Sequence, residues 1–253
     1  MMDFNAQRLH VDAPLGEGPA IAVGPEQANY LLNVLRLKAG DGIVLFNGRD
    51  GEWLARVMPK GKRGCELTPE RLVRAQEGGP DIDYLFAPLK RARLDYMVQK
   101  ATEMGVARLR PVITRRTVAE RVNVERMRAN AIEAAEQCGI LYVPGVTEPQ
   151  KLERVIGDWD GSRRLIFCDE AAALASPIEA LREVEGLGEA AHVGAPPLAV
   201  LIGPEGGFDP AEREMLMRQP FTLAISLGPR IMRADTAAVA ALALVNAVLG
   251  DWR

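Results

Sequence analysis

The sequence predicts an α/β protein in two parts: a small β-barrel over residues 1–74, and a larger domain on a parallel sheet over residues 82–253. Three observations carry this. Short strand-like runs separated by turn residues fill the first part. From residue 82 onward, apolar strand-like runs alternate with helix-patterned segments, as in a parallel sheet covered on both faces. Near the end, two units of strand, Gly-Pro, loop and helix follow one another.

The elements follow in order. Candidate strands lie at Arg8–Val11 and Ala20–Val23, and a short helix fits Glu26–Leu35. Gly42–Met58 reads as two strands around an Asn47-Gly48 turn, and Gly64–Leu67 as another. Residues 75–81 have the composition of a linker. Strand-like runs then recur at 82–87, 107–113, 140–143, 164–168, 198–202 and 221–227. Leu94, Met97, Val98 and Ala101 have the spacing of one helix face, ended by Gly105. Asn123 is placed to cap a second helix that buries Val124, Met127, Ala131, Ala135 and Cys138 and stops at Gly139. The segment "EGLGEAAHVGAPP" reads as a loop.

Composition narrows the function. No apolar signal segment opens the chain, and Ala237–Leu249, broken by Asn246, is short of the ~20 residues that span a bilayer, so a cytoplasmic location is expected. Three scattered cysteines and two histidines argue against a zinc site, a disulfide framework or a histidine-based nucleophilic site, and no metal is expected. Charge is uneven. Residues 90–128 hold 11 basic and 4 acidic side chains in a chain of net −3, the pattern of local contact with a polyanion or of a solvated helix face.

The two late loops carry the chemistry. Leu198–Ile202 is a continuous apolar run, as in a strand buried on both faces, and Gly203-Pro204 ends it. Asp209, Pro210 and Glu212 then read as N-cap, first helical residue and capping-box acid. The loop between has no lysine and no G-x-G-x-x-G spacing, so it is neither a P-loop nor a dinucleotide cradle. Its acid, Glu205, suits a hydroxyl, an amine or a cation. In the second unit Phe221, Leu223, Ile225 and Leu227 alternate, Gly228-Pro229 turns the chain, and Asp235 is a candidate N-cap for an Ala-rich helix to Leu249. Two such loops at neighbouring strand ends would form two walls of one pocket.

"LIGPEGGF" followed by "SLGPRIMRADTAA" closely resembles the paired signature of the RsmE family of the SPOUT superfamily of knotted RNA methyltransferases. "DYMVQKATEMGVARLRPVITRRT", "EAAEQCG" and "VLRLKAGDGIVLFNG" resemble further segments of that family, so the likeness runs through nearly the whole chain in the family's order. Three positions depart from it. Ile140 stands where arginine is usual, Asp235 where glutamate is common, and the histidine often found before "VLR" is absent.

The resemblance implies a PUA-like barrel, a SPOUT domain with a C-terminal trefoil knot, and a homodimer. It implies transfer of a methyl group from S-adenosylmethionine to N3 of one uridine in 16S rRNA of the small ribosomal subunit. The expected cofactor residues are Leu201, Gly203, Pro204, Glu205, Gly206, Gly207, Leu227, Gly228, Ile231 and Met232, with the apolar ones around the adenine. Arg233 is the expected group that stabilises a uracil anion, with Arg230 as alternative, and Glu205 faces cofactor or substrate. Arginine stays protonated, so neither acts as a general base. The expected RNA contacts are Lys90, Arg91, Arg93, Lys100, Arg115 and Arg116 in the basic block and Arg8, Arg36 and Lys38 in the barrel, acting on phosphates. Lys100 also has Tyr96 and Glu103 within helical reach, and Arg233 has Asp235 and Glu205 as candidate ion-pair partners. Three other readings fit parts of the pattern: an RNA-binding protein with a decayed cofactor pocket, a related methyltransferase acting on another RNA, and a nucleotide-dependent enzyme on an ordinary doubly wound sheet.

Overall fold

Period-2 burial and tight turns build the first unit. A computed structural model of the chain describes residues 7–61, 64–119, 121–173, 176–184 and 197–252. Strands β1 (Arg8–His10), β2 (Ile21–Ala22), β3 (Gly42–Phe46), β4 (Glu52–Lys60) and β5 (Gly64–Arg74) form a five-stranded sheet in the order β1-β3-β4-β5-β2. The β1–β3 pairing is parallel and the rest are antiparallel. Leu9, Leu31, Ile43, Leu45, Ala55, Val57 and Leu67 fill its core. β5 runs seven residues beyond the expected Leu67, because its ladder with β4 continues past a bulge to Arg74. The short helix begins as α1 (Pro25–Asn29) and tightens into a π-helical turn, Tyr30–Val34, closed by Leu35 N–H donating to Tyr30 O at 2.9 Å. It ends at Arg36, a non-glycine residue with φ +58°.

This unit comprises the chain up to Gly78 and also Ala135–Val143. That return segment lies inside the range expected for the second domain. Ile140 and Leu141 do not form the expected strand at 140–143. They pack with Ala135 around Phe46. The Ile140 that departs from the family pattern is therefore an apolar contact here, and its carbonyl is used as well, as described below.

The second unit holds β6 (Ile82–Phe86), α2 (Arg91–Glu103), β7 (Arg108–Ile113), α3 (Val124–Cys138), β8 (Gly145–Val146), β9 (Gln150–Lys151) and α4 (Leu152–Gly157). It continues through β10 (Arg164–Cys168), α5 (Pro177–Arg182), β11 (Leu198–Ile202), α6 (Pro210–Met217), β12 (Thr222–Ile225) and α7 (Ala234–Val248). The end of α3 belongs to the first unit. The strands order as β12-β10-β11-β6-β7-β8, all parallel, with β9 pairing β7 off that path. β6 and β11 are buried along their whole length, as a sheet covered on both faces requires.

Local signals set the helices. Leu94, Met97, Val98 and Ala101 are the buried face of α2, and Gly105 follows it with φ +77°. Asn123 Oδ1 accepts from Arg126 N–H at 2.9 Å, capping α3, and Cys138 is half-buried. Asp209 caps α6 with Pro210 at its first position and Glu212 completing the capping box. Asp235 does not cap α7. The N-cap is Arg233, in extended conformation, and Asp235 lies inside the first turn. No helix of the described residues is long and apolar enough to cross a membrane. The loop "EGLGEAAHVGAPP" with His192 falls almost wholly outside the described residues.

Candidate active site

Three parallel strands, β10, β11 and β12, end side by side, and the loops that leave them enclose a cavity of about 700 Å³. That is within the usual size of a small-molecule site, at the strand ends where open α/β sheets bind ligands. One wall is the loop after β11, here the glycine loop, with Gly203, Pro204, Glu205, Gly207 and Phe208. The facing wall is the loop after β12, here the arginine loop, from Ser226 to Ala234. The third strand end supplies Cys168, Asp169 and Glu170.

The glycine loop is tightly constrained. A Cβ at Gly203 would lie 2.9 Å from Phe208 Cδ2 and 3.0 Å from Cζ. That ring cannot move away freely, because it packs edge-on against Phe167 at 5.0 Å in the core. Gly207 has φ +68°, and the Glu170 carboxylate occupies the place a Cβ would take. Gly207 N–H donates to Pro204 O at 2.9 Å, closing the turn. Arg116 donates to Gly206 O at 2.8 Å from outside. In the arginine loop, Gly228 has φ +103° with open space where a Cβ would be, so the backbone there is free for close approach.

Charge is distributed unevenly. Asp169 is buried and accepts from Arg213 Nε at 2.9 Å and from Ala171 N–H at 3.1 Å. Glu205 and Asp235 both pair with Arg93. Hydrogen bonds from Arg93 hold the Asp235 carboxyl below the usual aspartate range. Among the described residues, the side chains of Glu170, Arg230 and Arg233 have no hydrogen-bonded or ion-paired partner, and the Arg233 carbonyl accepts from Ala237 N–H at 2.8 Å. Cys168 has part of its surface open to the cavity, yet burial pushes its thiol up to about 12, so it stays neutral. Ile231 is 96% exposed at the mouth, between the two free arginines.

The site residues expected from sequence divide. Gly203, Pro204, Glu205, Gly207, Leu227, Gly228, Ile231 and Met232 line the cavity, as do Arg230 and Arg233. Leu201 does not. It is fully buried in the apolar cluster with Leu85, Phe167 and Leu216, and its neighbour Ile202 lines the cavity instead. Gly206 faces outward against Arg116. Arg233 pairs with neither Asp235 nor Glu205, since Arg93 holds both.

Several of the cations expected to contact RNA have partners within the protein. Arg8 is 9% exposed. It donates to Glu52 at 2.6 Å and to the carbonyls of Ala135, Glu136 and Ile140, satisfying the end of α3. Arg93 bridges the two carboxylates just named. Lys100 pairs with Glu103 at 2.7 Å over the Tyr96 ring. Arg115 pairs with Asp209 at 2.8 Å. Lys90 and Arg91 are exposed in the second unit, and Arg36 and Lys38 in the first.

The residues the sequence reading missed are Asp169 and Glu170. Their signal was present: "CDE" directly follows the apolar run Leu165–Phe167, an acid pair at a third parallel strand end. Among the described residues, no cluster of three or more histidine, cysteine, aspartate or glutamate side chains could hold a metal ion.

The RNA methyltransferase domain family matches residues 77–246, and the RNA methyltransferase PUA domain family matches residues 23–70. The ribosomal RNA small subunit methyltransferase E of Rickettsia conorii is 30% identical over 246 residues, 97% of this chain and 96% of its own. The enzyme of the same name from Neisseria gonorrhoeae, solved bound to S-adenosyl methionine, superimposes with a TM-score of 0.82 at 25% identity, covering 98% of this chain and 100% of that one. A Legionella pneumophila protein solved with the cofactor SAM gives the same TM-score at 26% identity, covering 98% and 99%.

Proposed function

The chain belongs to the ribosomal RNA small subunit methyltransferase E family, and from that premise we propose that it methylates N3 of one uridine in 16S rRNA of the small ribosomal subunit. It is an rRNA methyltransferase that uses S-adenosylmethionine. The cavity suits that cofactor. It has no phosphate cradle, its glycine loop brings backbone close, and Leu227, Ile231 and Met232 offer apolar surface for an adenine. Glu170, a carboxylate without a partner among the described residues, suits the ribose hydroxyls or the cofactor's cationic end. When bound, S-adenosylmethionine supplies the electrophilic methyl group.

The single observation that carries the reading is a pair of arginines on a wall of this cavity, Arg230 and Arg233, whose side chains have no partner among the described residues. Uracil N3 becomes nucleophilic as it loses its proton, and negative charge then spreads to O2 and O4. A guanidinium held there stabilises that charge without reorganising. Arg233 is the proposed group, because the N-cap of α7 fixes its backbone beside Met232. The rest is positioning. Arg36 and Lys38 of the first unit, and Lys90 and Arg91 of the second, are the cations proposed to hold RNA phosphates.

Three inherited features stand as proposals with it. The trefoil knot agrees with the strand order β12-β10-β11, where consecutive strands flank an earlier one. The homodimer rests on the resemblance, and the cytoplasmic location on the composition read above. Sedimentation at micromolar concentration tests the dimer.

The deciding experiment is methyl transfer from labelled S-adenosylmethionine to small ribosomal subunits lacking this methylation, with the product nucleoside identified by mass spectrometry. Label at N3 of a single uridine is expected. Label on another nucleoside or another RNA would reassign the substrate. Cofactor binding with no transfer to any RNA would favour the non-catalytic reading.

A further inference from the structure

Arg93 is the third residue of α2. The first turn of that helix contains no acid, and its N-cap, Lys90, makes no side-chain cap bond. A cation in the first turn opposes the helix dipole, so something must offset it. Two carboxylates do: one is in the glycine loop, and the other directly follows the arginine loop. Arg93 Nε and Nη2 donate to the two oxygens of Asp235, each at 3.0 Å, in a bidentate pair. Its third nitrogen, Nη1, donates to Glu205 Oε1. Asp235 sits in the first turn of α7, two residues after Arg233, and Glu205 is in the middle of the glycine loop. Among the described residues, no other side chain hydrogen-bonds to both segments.

We infer that Arg93 is a positioning residue: its guanidinium ties the glycine loop after β11 to the segment that ends the arginine loop after β12, and so sets the affinity of the cavity between them for S-adenosylmethionine. This rests on the cofactor reading above. The chemistry requires arginine. A planar guanidinium engages one carboxylate with two parallel bonds and still turns a third nitrogen to another, whereas an ammonium is a point charge without that fork. A site whose walls are already tied together loses less freedom on binding, and that difference appears as affinity.

The test compares the full-length wild type with Arg93→Lys, Arg93→Ala, Asp235→Asn and the Arg93→Ala/Asp235→Asn pair. Amide hydrogen exchange without cofactor is read on peptides covering 203–209 and 226–236. Affinities are measured by calorimetry for S-adenosylmethionine and for 5′-methylthioadenosine, which lacks the amino-acid end. Arg93→Ala is expected to speed exchange in both segments together. It is expected to weaken both ligands at least tenfold, while turnover at saturating cofactor stays within threefold. Arg93→Lys should fall between, and the double variant should bind within twofold of Arg93→Ala alone.

Unchanged exchange with affinity within twofold of wild type would overturn the tie. Loss confined to S-adenosylmethionine, with 5′-methylthioadenosine unaffected, would also overturn it and make Arg93 a direct contact to the amino-acid end. If Arg93→Ala does not fold, Arg93→Lys carries the same comparison. Failure of the wild type to bind S-adenosylmethionine would sink the cofactor reading, and the exchange data would still decide whether Arg93 ties the loops.

Discussion

The two walls of the cavity have similar sequences and opposite characters. Each follows a parallel strand with Gly-Pro and leads into a helix. The glycine loop is fixed at nearly every residue. Phe208 fills the space at Gly203, Glu170 the space at Gly207, Arg116 holds Gly206 O, and a capping box ends the loop. The arginine loop has a local bond from Gly228 N–H to Ser226 Oγ at 3.3 Å and is joined to α7 where Arg233 O accepts from Ala237 N–H, and it presents the side chains of Arg230, Ile231 and Arg233 without partners among the described residues. Side chains already satisfied within the protein give shape. Side chains left unsatisfied at a cavity mouth are available to a ligand. The first wall is therefore suited to a cofactor of fixed shape, and the second to a substrate that brings its own negative charge.

The largest effect that would break this contrast is on Arg233. Arg233→Ala should leave cofactor affinity within a few-fold of wild type and reduce turnover by roughly 10²-fold or more, the range for removing one charge-stabilising donor. Single-turnover methylation and cofactor titration measure the two separately. Near-normal turnover would make the arginine loop a surface feature and move the role to Arg230. The glycine loop should respond in the opposite way. Gly203→Ala forces a methyl into the Phe208 ring, which Phe167 backs. It should cost about 1–3 kcal/mol of stability through overpacking and weaken the cofactor, with turnover at saturation largely kept. A melting temperature equal to wild type would mean that the loop is softer than its contacts imply.

These contacts also mark what was legible in the sequence. Helix starts carry their chemistry within four residues, so Asp209, Pro210 and Glu212 were readable in full, as was Asn123. Asp235 looked the same and was misread as a cap, because its carboxylate is taken by Arg93, 142 residues away in the chain. Leu201 and Ile202 show another limit. Alternate strand residues face opposite sides, and in a run that is apolar throughout nothing says which side is the cavity. Arg8 shows a third. It reads as a surface cation until Glu52 and three carbonyls of the returning segment 135–143 enclose it, and neither partner is near in sequence. The parallel sheet itself was readable from alternation alone. Its strand order was not, because pairing between distant strands leaves no local trace.

A smaller effect should sharpen the role of the third strand end. Glu170 lines the cavity, leans over Gly207 and has no partner among the described residues. Glu170→Gln keeps its size and removes its charge. A charged hydrogen bond contributes about 1.5–3 kcal/mol, so cofactor binding should weaken roughly tenfold or more. 5′-Methylthioadenosine separates the two ends of the ligand. Equal losses for both ligands would put Glu170 on the ribose, and a loss for S-adenosylmethionine alone would put it at the cationic end. No loss for either would leave Glu170 as a prop for Gly207.

The smallest effect is one of pH, and it tests whether the tie across the cavity is electrostatic. The Asp235 carboxyl titrates below its ordinary value because Arg93 bonds to its charged form. A group depressed on folding adds stability that is present in full above its unfolded pKa, about 4 for aspartate, and is lost as pH falls through the lower folded value. Asp235→Asn cannot titrate there, so wild type should melt above this variant by a constant margin at pH 5 and higher. That margin should shrink as pH falls below about 4, where the protonated aspartate resembles asparagine. Both proteins share the other depressed carboxyls, such as Asp95, which accepts from Arg126, so their loss of stability in acid cancels in the difference. The margin is expected to be small, because the pair is partly exposed and screened by solvent. A margin that persisted into acid would mean that Asp235 holds Arg93 through shape alone. The two walls would then be joined by packing, and the contrast between them would not depend on charge.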